Sequence, residues 1–235
     1  NFLYPHKYHK ENIKKIINLE NKHNLTSMFY VLNGKKGRYL SRARLKDIKK
    51  LINEIKDPWS LGVHYNYDTH HNSKKLLKQI KQISCQSNLF KNIGRAHYLR
   101  AYYPKSFYSW IDAGITVDES LGYYDYVGFR AGIAGIYNPY DLNNDIEISI
   151  SEAPLVAMDT AKINENHEVP NLDALKNLIE HIRLIGGRFS YLYHHDIHDN
   201  PEHKNFYGFY ENLLSYISSK TFVNMPANKI VEPIR

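Results

Sequence analysis

Residues 60–99, SLGVHYNYDTHHNSKKLLKQIKQISCQSNLFKNIGRAHYL, contain the clearest pattern of secondary structure in the chain. The run at 60–64 is typical of a short buried strand, and a second strand-like run covers 93–99. Between them, apolar residues recur at helical spacing, at Leu76, Leu77, Ile80 and Ile83. Strand, helix and strand in this order predict a βαβ unit with parallel strands.

The same alternation continues on both sides of this unit. Further strands are predicted at 26–32, 115–118, 147–150, 154–158 and 189–193. Helices are predicted at 13–20, 45–55, 104–113, 175–182 and 206–217. This pattern over 235 residues indicates one α/β domain with parallel strands, either a barrel or a doubly wound sheet. We expect the domain to span 1–235, with a long irregular insertion at 119–146 and an irregular tail at 218–235.

Composition excludes several classes of protein. Hydrophobic residues make up 43% of the chain, which is ample for a core and too high for a disordered chain. No apolar run is long enough to span a membrane, and the first twenty residues contain no secretory segment, so we expect a cytoplasmic protein. One cysteine, Cys85, excludes a disulfide framework and a cysteine-rich zinc site. The 13 histidines are therefore the main candidates for chemistry.

The net charge of +7 is unevenly distributed. Residues 1–56 contain 14 Lys and Arg residues against 4 Asp and Glu residues, whereas the rest contains 17 against 20. Most of these lysines lie along predicted helices, where they form solvated helix faces. A surface for an anionic polymer is the alternative, and it predicts binding that weakens steeply with salt. Because the chain has no zinc-finger, RNA-recognition or helix-turn-helix pattern, we expect no nucleic-acid partner.

Polar residues end several of the predicted strands. His64 ends one strand, His97 lies near the end of the next, Asp118 ends another, and His194 and His195 end the last. In α/β folds the carboxyl ends of parallel strands meet at one edge, where sites are built. Each histidine alone could be a core residue with a satisfied hydrogen bond. As a set, they predict one common site.

The first of these strand ends leads into a loop rich in metal-ligand side chains. Residues 62–71, GVHYNYDTHH, place three histidines and one aspartate within eight residues. Imidazole and carboxylate together suit Zn²⁺, Fe²⁺, Co²⁺ or Ni²⁺. We expect His64 to be a ligand and Asp68, four residues later, to return to the same ion. His70 and His71 are looser candidates, and the alternative for them is contact with water in a polar loop.

Further motifs complete a pattern that resembles a known family. After the 62–71 loop come RAHYLR at 95–100, DESLGYYDYVGFRAG at 118–132, EAPLVAMD at 152–159 and LYHH at 192–195. Their order and spacing resemble the polysaccharide deacetylases of the NodB homology type, also called carbohydrate esterase family 4. The resemblance is strongest to the subgroup found in bacterial surface-polysaccharide gene clusters, and it covers roughly residues 10–217.

The resemblance implies a fold, a reaction and a set of residues. The family has a distorted (β/α) barrel with a divalent metal at the carboxyl ends of its strands, and it removes N- or O-acetyl groups from sugars. We therefore expect zinc, with cobalt, nickel or iron as alternatives, and an acetylated sugar or polysaccharide precursor as partner. The matching positions make His64 the first metal ligand and His194 the general acid. They make Asp118 the carboxylate that orients His194, and Arg95 the residue that holds the catalytic base.

Two features depart from the family pattern. The family has a second histidine four residues after the first, so here Asp68 or another residue such as His97 would complete the metal site. The family also begins with a strand ending in an Asp pair that supplies the base and a ligand, and this chain has no Asp before Asp47. We expect that strand to lie just upstream of Asn1. Otherwise the protein lacks the base.

A non-catalytic glycan-binding barrel is the alternative function. Tyrosine rings stack on sugars while their hydroxyl groups form hydrogen bonds. Many tyrosines flank the predicted site, namely Tyr65, Tyr67, Tyr98, Tyr102, Tyr103, Tyr123, Tyr124 and Tyr126. We expect Tyr98, Tyr123 and Arg130 to contact the substrate. Arg130, in GFRAG at 128–132, either binds an anionic group of the substrate or ties the long loop to the barrel.

Overall fold

The computed structural model describes residues 6–34, 45–159, 171–195, 205–220 and 222–224. The helices are α1 (His6–Lys22), α2 (Leu45–Ile52), α3 (Ser73–Ser84), α4 (Lys105–Asp112), α5 (Leu172–Leu184) and α6 (Phe206–Ser218). The strands are β1 (Met28–Val31), β2 (Ser60–Tyr65), β3 (Phe90–Ala96), β4 (Val117–Asp118), β5 (Tyr140–Asp141), β6 (Ile146–Glu147), β7 (Ser151–Glu152), β8 (Ala157–Met158) and β9 (Tyr191–Leu192). The predicted alternation of strands and helices is thus present.

The largest sheet is parallel throughout. Its strand order is β1-β2-β3-β4-β7, and β8 and β9 form a separate parallel pair. An antiparallel hairpin of β5 and β6 lies at the end of the long insertion, and only its last residue, Glu147, falls in a predicted strand. The predicted α/β class with parallel strands is confirmed. Within the described ranges, no hydrogen-bonded ladder joins the five-stranded sheet to the β8–β9 pair, so a closed barrel is not seen.

The βαβ unit of residues 60–99 lies at the centre of the largest core. Leu61 and Val63 of β2 are fully buried, as is Leu76 of α3. These side chains pack in one cluster with Trp110 of α4. Continuous apolar strands of this kind are typical of parallel sheets covered on both faces. Each fully buried side chain of this size contributes about 1.5–3 kcal/mol to stability.

Gly94 of β3 leaves room for the ring of Tyr65, the last residue of β2. A Cβ atom at position 94 would overlap Cε1 of Tyr65. The Tyr65 ring then packs against Trp110, with ring centroids 4.8 Å apart. The close approach of β2 and β3 therefore requires glycine at this position.

Local side-chain and backbone signals fix the helix ends. The Asn72 side chain accepts a hydrogen bond from the Lys75 backbone N–H at 2.9 Å and so caps the start of α3. Asn171 caps α5 in the same way. Gly186 follows α5 with a φ of 66°, the left-handed conformation that commonly ends a helix. The predicted helix end at 186–187 is confirmed.

The end of β3 differs from the prediction. The apolar pattern predicts a strand over 93–99, but β3 covers Phe90–Ala96 and His97–Leu99 form a 3-10 turn. Tyr98 and Leu99 have φ angles of 59° and 51°. A left-handed backbone costs ~1 kcal/mol or more for a residue with a side chain. Such a bend out of the sheet leaves no trace in a hydrophobicity pattern.

Several strands are also shorter than predicted. The strand expected over 147–150 shares only Glu147 with β6 and ends before β7, and β8 and β9 have two residues each. Helix α6 ends at Ser218, and most of the expected tail, 225–235, lies outside the described residues. No helix in the described part of the chain combines the length and the apolar character that crossing a membrane requires.

Candidate active site

The chemically active side chains lie at the carboxyl ends of the strands. His64 lies near the end of β2, and Asp118 and Glu152 end β4 and β7. Asp159 directly follows β8, and His194 comes two residues after β9. Because the strands of the five-stranded sheet are parallel, His64, Asp118 and Glu152 lie at one edge of it, the edge at which open α/β sheets bind ligands. Asp159 and His194 lie at the carboxyl end of the separate β8–β9 pair.

His64 and His97 are neighbours at this edge, with ring centroids 4.9 Å apart. The Nδ1–H of His64 donates to the backbone carbonyl of Arg95 at 2.9 Å, since a carbonyl oxygen only accepts. Burial, together with the positive charges of His97 and His194, lowers the pKa of His64 to about 3. His64 is therefore neutral at physiological pH and carries its lone pair on Nε2. His194 thus acts electrostatically on His64.

Gln79 of α3 holds the backbone that carries His64. Its Nε2 donates to the His64 carbonyl at 2.6 Å, and its Oε1 accepts from the Asn66 N–H at 3.1 Å. Gln79 is itself buried. One helical side chain thus satisfies two backbone groups of the turn that follows β2.

Asp159 holds His194 through two contacts. Its Oδ2 accepts from the His194 backbone N–H at 2.5 Å, and its Oδ1 lies 2.7 Å from Nδ1 of the ring. The carboxylate is fully buried, whereas 42% of the His194 side chain is exposed. A buried carboxylate on Nδ1 stabilises the charged ring and leaves proton exchange to Nε2. The described carboxylate that contacts His194 is thus Asp159, whereas Asp118, to which the resemblance assigns the orienting role, accepts hydrogen bonds from Ser120.

Glu119 is the centre of a buried ionic network. Arg95 Nη2 lies 2.6 Å from its Oε2, and Arg188 Nη2 lies 2.9 Å from its Oε1. The Tyr30 hydroxyl donates to Oε2 at 2.5 Å, and the Arg95 guanidinium lies over the Tyr30 ring at 4.5 Å. Arg95 thus holds a carboxylate, but donors engage both oxygens of that carboxylate. Glu119 is a counter-ion here, and the expected link from Arg95 to a catalytic base is not seen among the described residues.

Asp118 and Glu152 form a buried carboxyl pair, opposite each other in the β4–β7 ladder. Both are completely buried. Burial raises the pKa of Asp118 to about 6. Burial and the negative charge of Asp118 raise the pKa of Glu152 well above its usual range. Two carboxyl groups this close do not both ionise readily, so the pair keeps one proton near neutral pH.

The residues expected to bind a metal are only partly brought together. Asp68 is exposed and forms an ion pair with Lys75, with Oδ2 and Nζ 2.9 Å apart. The rings of His70 and His71 contact each other instead, with centroids 4.1 Å apart. In the described ranges, no three His, Cys, Asp or Glu side chains are grouped so that they could hold an ion.

The chemistry of His64 and His97 nevertheless fits two metal ligands. A metal-bound histidine commonly donates its second ring N–H to a backbone carbonyl, as His64 does to Arg95. The neutral state of His64 leaves its other nitrogen able to bind an ion. A complete site needs further ligands in addition to these two histidines.

The residues expected to contact substrate lie at the surface. Tyr98 is exposed beside the imidazole pair, with its ring centroid 4.4 Å from that of His97. Tyr123 is exposed and contacts the ring of Tyr126 at 6.3 Å. Arg130 donates from Nη1 to the Gly122 carbonyl at 3.3 Å, a contact that ties the long loop together. Substrate contacts at these positions stay predictions.

Comparison with known proteins bears on the fold. The sequence matches no protein-family model and no curated protein. The structure is similar to that of a Mycobacterium smegmatis protein assigned as a polysaccharide deacetylase, with a TM-score of 0.60 and 12% identity. The match covers 92% of this chain and 73% of that protein. The chain therefore shares the fold of this protein, referred to below as the polysaccharide deacetylase fold.

A second solved structure is related more weakly. It is a peptidoglycan N-acetylglucosamine deacetylase in complex with 4-naphthalen-1-yl-N-oxidanyl-benzamide. The match covers 76% of this chain and 78% of that protein at 16% identity, and its TM-score of 0.35 is too low to indicate a shared fold. The polysaccharide deacetylase fold therefore rests on the first comparison.

Within the polysaccharide deacetylase fold, sequence reasoning leaves three carboxylates of the site unassigned. Asp159 carries a usable signal, because it directly follows an apolar run just as Asp118 does. Glu119 and Glu152 carry none, because their partners depend on how β4, β7 and the following loops meet. Local pattern identifies a strand end, but long-range pairing decides which strand ends meet.

Proposed function

We propose that the protein is a metal-dependent deacetylase that removes an acetyl group from an N- or O-acetylated sugar in bacterial surface-polysaccharide metabolism. The observation that carries this proposal is the pairing of His194 with Asp159, within electrostatic reach of neutral His64. The His194–Asp159 pair suits proton donation, and neutral His64 suits lone-pair donation to a cation. The polysaccharide deacetylase fold supports the same class of reaction.

His194 is the proposed general acid. Its Nδ1 is held by Asp159, so the ring addresses the substrate through Nε2. When the ring is protonated, it donates that proton to the amine or alkoxide that leaves the acetyl carbon. The carboxylate of Asp159 stabilises the charged ring before this transfer and fixes its orientation during it.

His64 and His97 are the proposed first two ligands of a divalent metal, with zinc expected ahead of cobalt, nickel and iron. When bound, such an ion polarises the acetyl carbonyl and lowers the pKa of a water molecule. The Arg95 carbonyl keeps the proton of His64 on Nδ1 and its lone pair on Nε2. Asp68 would have to leave Lys75 to join them.

The acceptor of the water proton is not found among the described carboxylates at the strand ends. Asp118 and Glu152 form a fully buried pair, and basic side chains engage Glu119 and Asp159. We place the base outside the described residues.

A glycan-binding protein without catalytic activity is the second candidate function. The missing base among the described residues favours it, and so do the exposed rings of Tyr98 and Tyr102. In this case a sugar would bind in the cleft with no release of acetate.

An acetate-release assay separates the two candidates. Metal-stripped protein is reloaded with one equivalent of Zn²⁺ or Co²⁺ and incubated with N-acetylated and O-acetylated oligosaccharides. Catalysis predicts acetate release that requires the metal. Release that is unaffected by metal removal contradicts metal dependence, and sugar binding without release favours the second candidate. An absence of both binding and release overturns both candidates.

A further inference from the structure

The face of α1 that packs against the rest of the protein contains two polar side chains. The residues along this face follow a helical spacing, and they are His9, Ile13, Ile16 and Glu20. The last three are buried, and His9 is half-buried. A polar side chain at a buried helix face needs a hydrogen-bonding partner. The partners of His9 and Glu20 therefore indicate what this face of the helix supports.

The side chains of residues 193–195 alternate between two sides of the chain, as they do in an extended backbone. On one side, the ring of Tyr193 stacks on that of Tyr210 in α6, with centroids 4.1 Å apart. On the other side, the ring of His194 contacts the buried carboxylate of Asp159. The next side chain returns to the first side, where α1 lies. The general acid thus lies between two residues that contact helices.

His9 and His195 join α1 to this segment. Nδ1 of His9 lies 2.9 Å from Nε2 of His195, although the two residues are 186 positions apart in the chain. This is a hydrogen-bond distance, so one of the two nitrogens carries a proton and the other a lone pair. Among the described residues, the β8–β9 ladder ends at Leu192. The position of His194 therefore depends on side-chain contacts in addition to the ladder.

Glu20 supports the other neighbour of His194. Its Oε1 accepts a hydrogen bond from the Tyr210 hydroxyl at 2.8 Å, and both side chains are buried. This bond fixes the Tyr210 ring, which lies within 9° of parallel to the ring of Tyr193. Helix α1 thus supports Tyr193 through Tyr210 and contacts His195 directly.

We propose that His9 is a positioning residue for the general acid. Its hydrogen bond to His195 holds the backbone of His194 so that the ring stays against Asp159. Because 42% of the His194 side chain is exposed, its ring depends on such hydrogen bonds for its position. A displacement of about 1 Å in a reacting group can lower a rate by about 100-fold. The proposal rests on the proposed function for the role of His194 in catalysis.

Kinetics of acetate release by the Zn²⁺-loaded protein give the first test. His9→Leu removes the hydrogen bond, and we expect kcat to fall at least about tenfold with little change in KM. His9→Asn should restore most of this loss, because an amide offers both a donor and an acceptor near the position of Nδ1. His195→Leu removes the same bond from the other side, so it should match His9→Leu and replaces it if that variant does not fold.

His23→Leu is the matched control. Nδ1 of His23 lies 3.4 Å from the Ser218 hydroxyl on α6, so this imidazole also joins two helices. It lies just after α1, about 20 Å along the helix from His9. We expect wild-type kcat in His23→Leu, even where its thermal stability falls as much as that of His9→Leu. Thermal unfolding shows whether each variant is folded.

A spectroscopic measurement tests the position of His194 without turnover. A proton shared between a ring nitrogen and a carboxylate gives a low-field resonance in the ¹H NMR spectrum, and its absence from His194→Ala identifies the signal of this residue. We expect the signal in the wild type and in His9→Asn. In His9→Leu we expect it to shift or to be lost, because the ring no longer stays against Asp159.

Four results overturn the positioning role. They are an unchanged NMR signal in folded His9→Leu, no such signal in the wild type, a failure of His9→Asn to restore kcat, and an equal loss of kcat in His23→Leu. The NMR measurement requires no catalysis. A signal that changes in His9→Leu, in a protein whose wild type releases no acetate, therefore refutes the proposed function alone.

Discussion

The Nδ1 atom of His194 lies 2.7 Å from Oδ1 of Asp159, a fully buried carboxylate 35 residues earlier in the chain. Pairing of Met158 with Leu192 in the β8–β9 ladder brings the two together. Because Asp159 accepts from both the backbone and the ring of His194, it fixes the position of the side chain as well as its charge. Paired strands, rather than a loop alone, therefore position the proposed general acid.

Asp159→Asn tests this relationship. An amide cannot stabilise the charged ring, and it favours the wrong tautomer. We expect kcat for acetate release to fall at least about 100-fold with little change in KM. Asp173→Asn, at an exposed position on α5, should leave kcat unchanged. Initial rates of the two variants provide the measurement, and an unaffected kcat in Asp159→Asn would contradict the assigned role.

Arg95→Met tests the ionic network around Glu119. Loss of one partner leaves a buried charge poorly compensated, so we expect the free energy of unfolding to fall by about 3 kcal/mol. Arg183→Met removes an exposed ion pair with Glu180 on α5 and should cost less than about 1 kcal/mol. Urea unfolding of both variants gives the comparison. Similar losses would mean that the buried network contributes no more than a surface pair.

The carboxyl pair of Asp118 and Glu152 predicts a pH dependence of stability. Both pKa values are raised in the folded protein, so the folded state binds protons more tightly than the unfolded chain. The contribution of this pair to the free energy of unfolding is therefore highest at low pH. It falls as pH rises through about 6, the folded pKa of Asp118, and beyond.

Glu152→Gln removes one of the two titrations. We expect its free energy of unfolding, measured by urea at several pH values, to fall less steeply with rising pH than that of the wild type. Glu147→Gln, at an exposed position on β6, should follow the wild-type curve. Parallel curves for wild type and Glu152→Gln would show that the pair does not control this dependence.

Two glycine substitutions should change the stability of the protein in opposite directions. Gly94→Ala places a Cβ atom against the Tyr65 ring, and we expect a loss of about 1–3 kcal/mol. Gly208 lies within α6 with no atom within 4 Å of an added Cβ, so Gly208→Ala should stabilise by about 0.5–1 kcal/mol. Thermal unfolding of both variants checks this, and a Gly94→Ala protein as stable as the wild type would contradict the described packing of the Tyr65 ring against Gly94.

Much of the fold can be predicted from local pattern. The βαβ unit of residues 60–99 follows from apolar spacing, and the helix end at Gly186 follows from its backbone freedom. The positions of His64 near the end of β2 and of Asp118 at the end of β4 follow for the same reason, because each is a polar residue at the end of a short apolar run. These features depend on neighbours in sequence, which the pattern records.

The contacts of the site depend on tertiary structure. Asp159 meets His194 through the register of two short strands, and Asp68 faces Lys75 because of how the loop after β2 turns. The exposure of Tyr98 follows from a left-handed backbone that its residue type does not predict. For these residues the sequence pattern identifies candidates for the site, and only the tertiary structure shows which residues they contact.

Acetate release by Zn²⁺-loaded protein, measured side by side for the wild type, His64→Ala and His194→Ala, tests the central claim most directly. The two imidazoles come from distant parts of the chain, so their shared requirement would show that they serve one reaction. We predict turnover by the wild type and a loss of at least about 100-fold in each variant, with both variants still folded. Full activity in either variant, or no acetate from the wild type, would contradict the account.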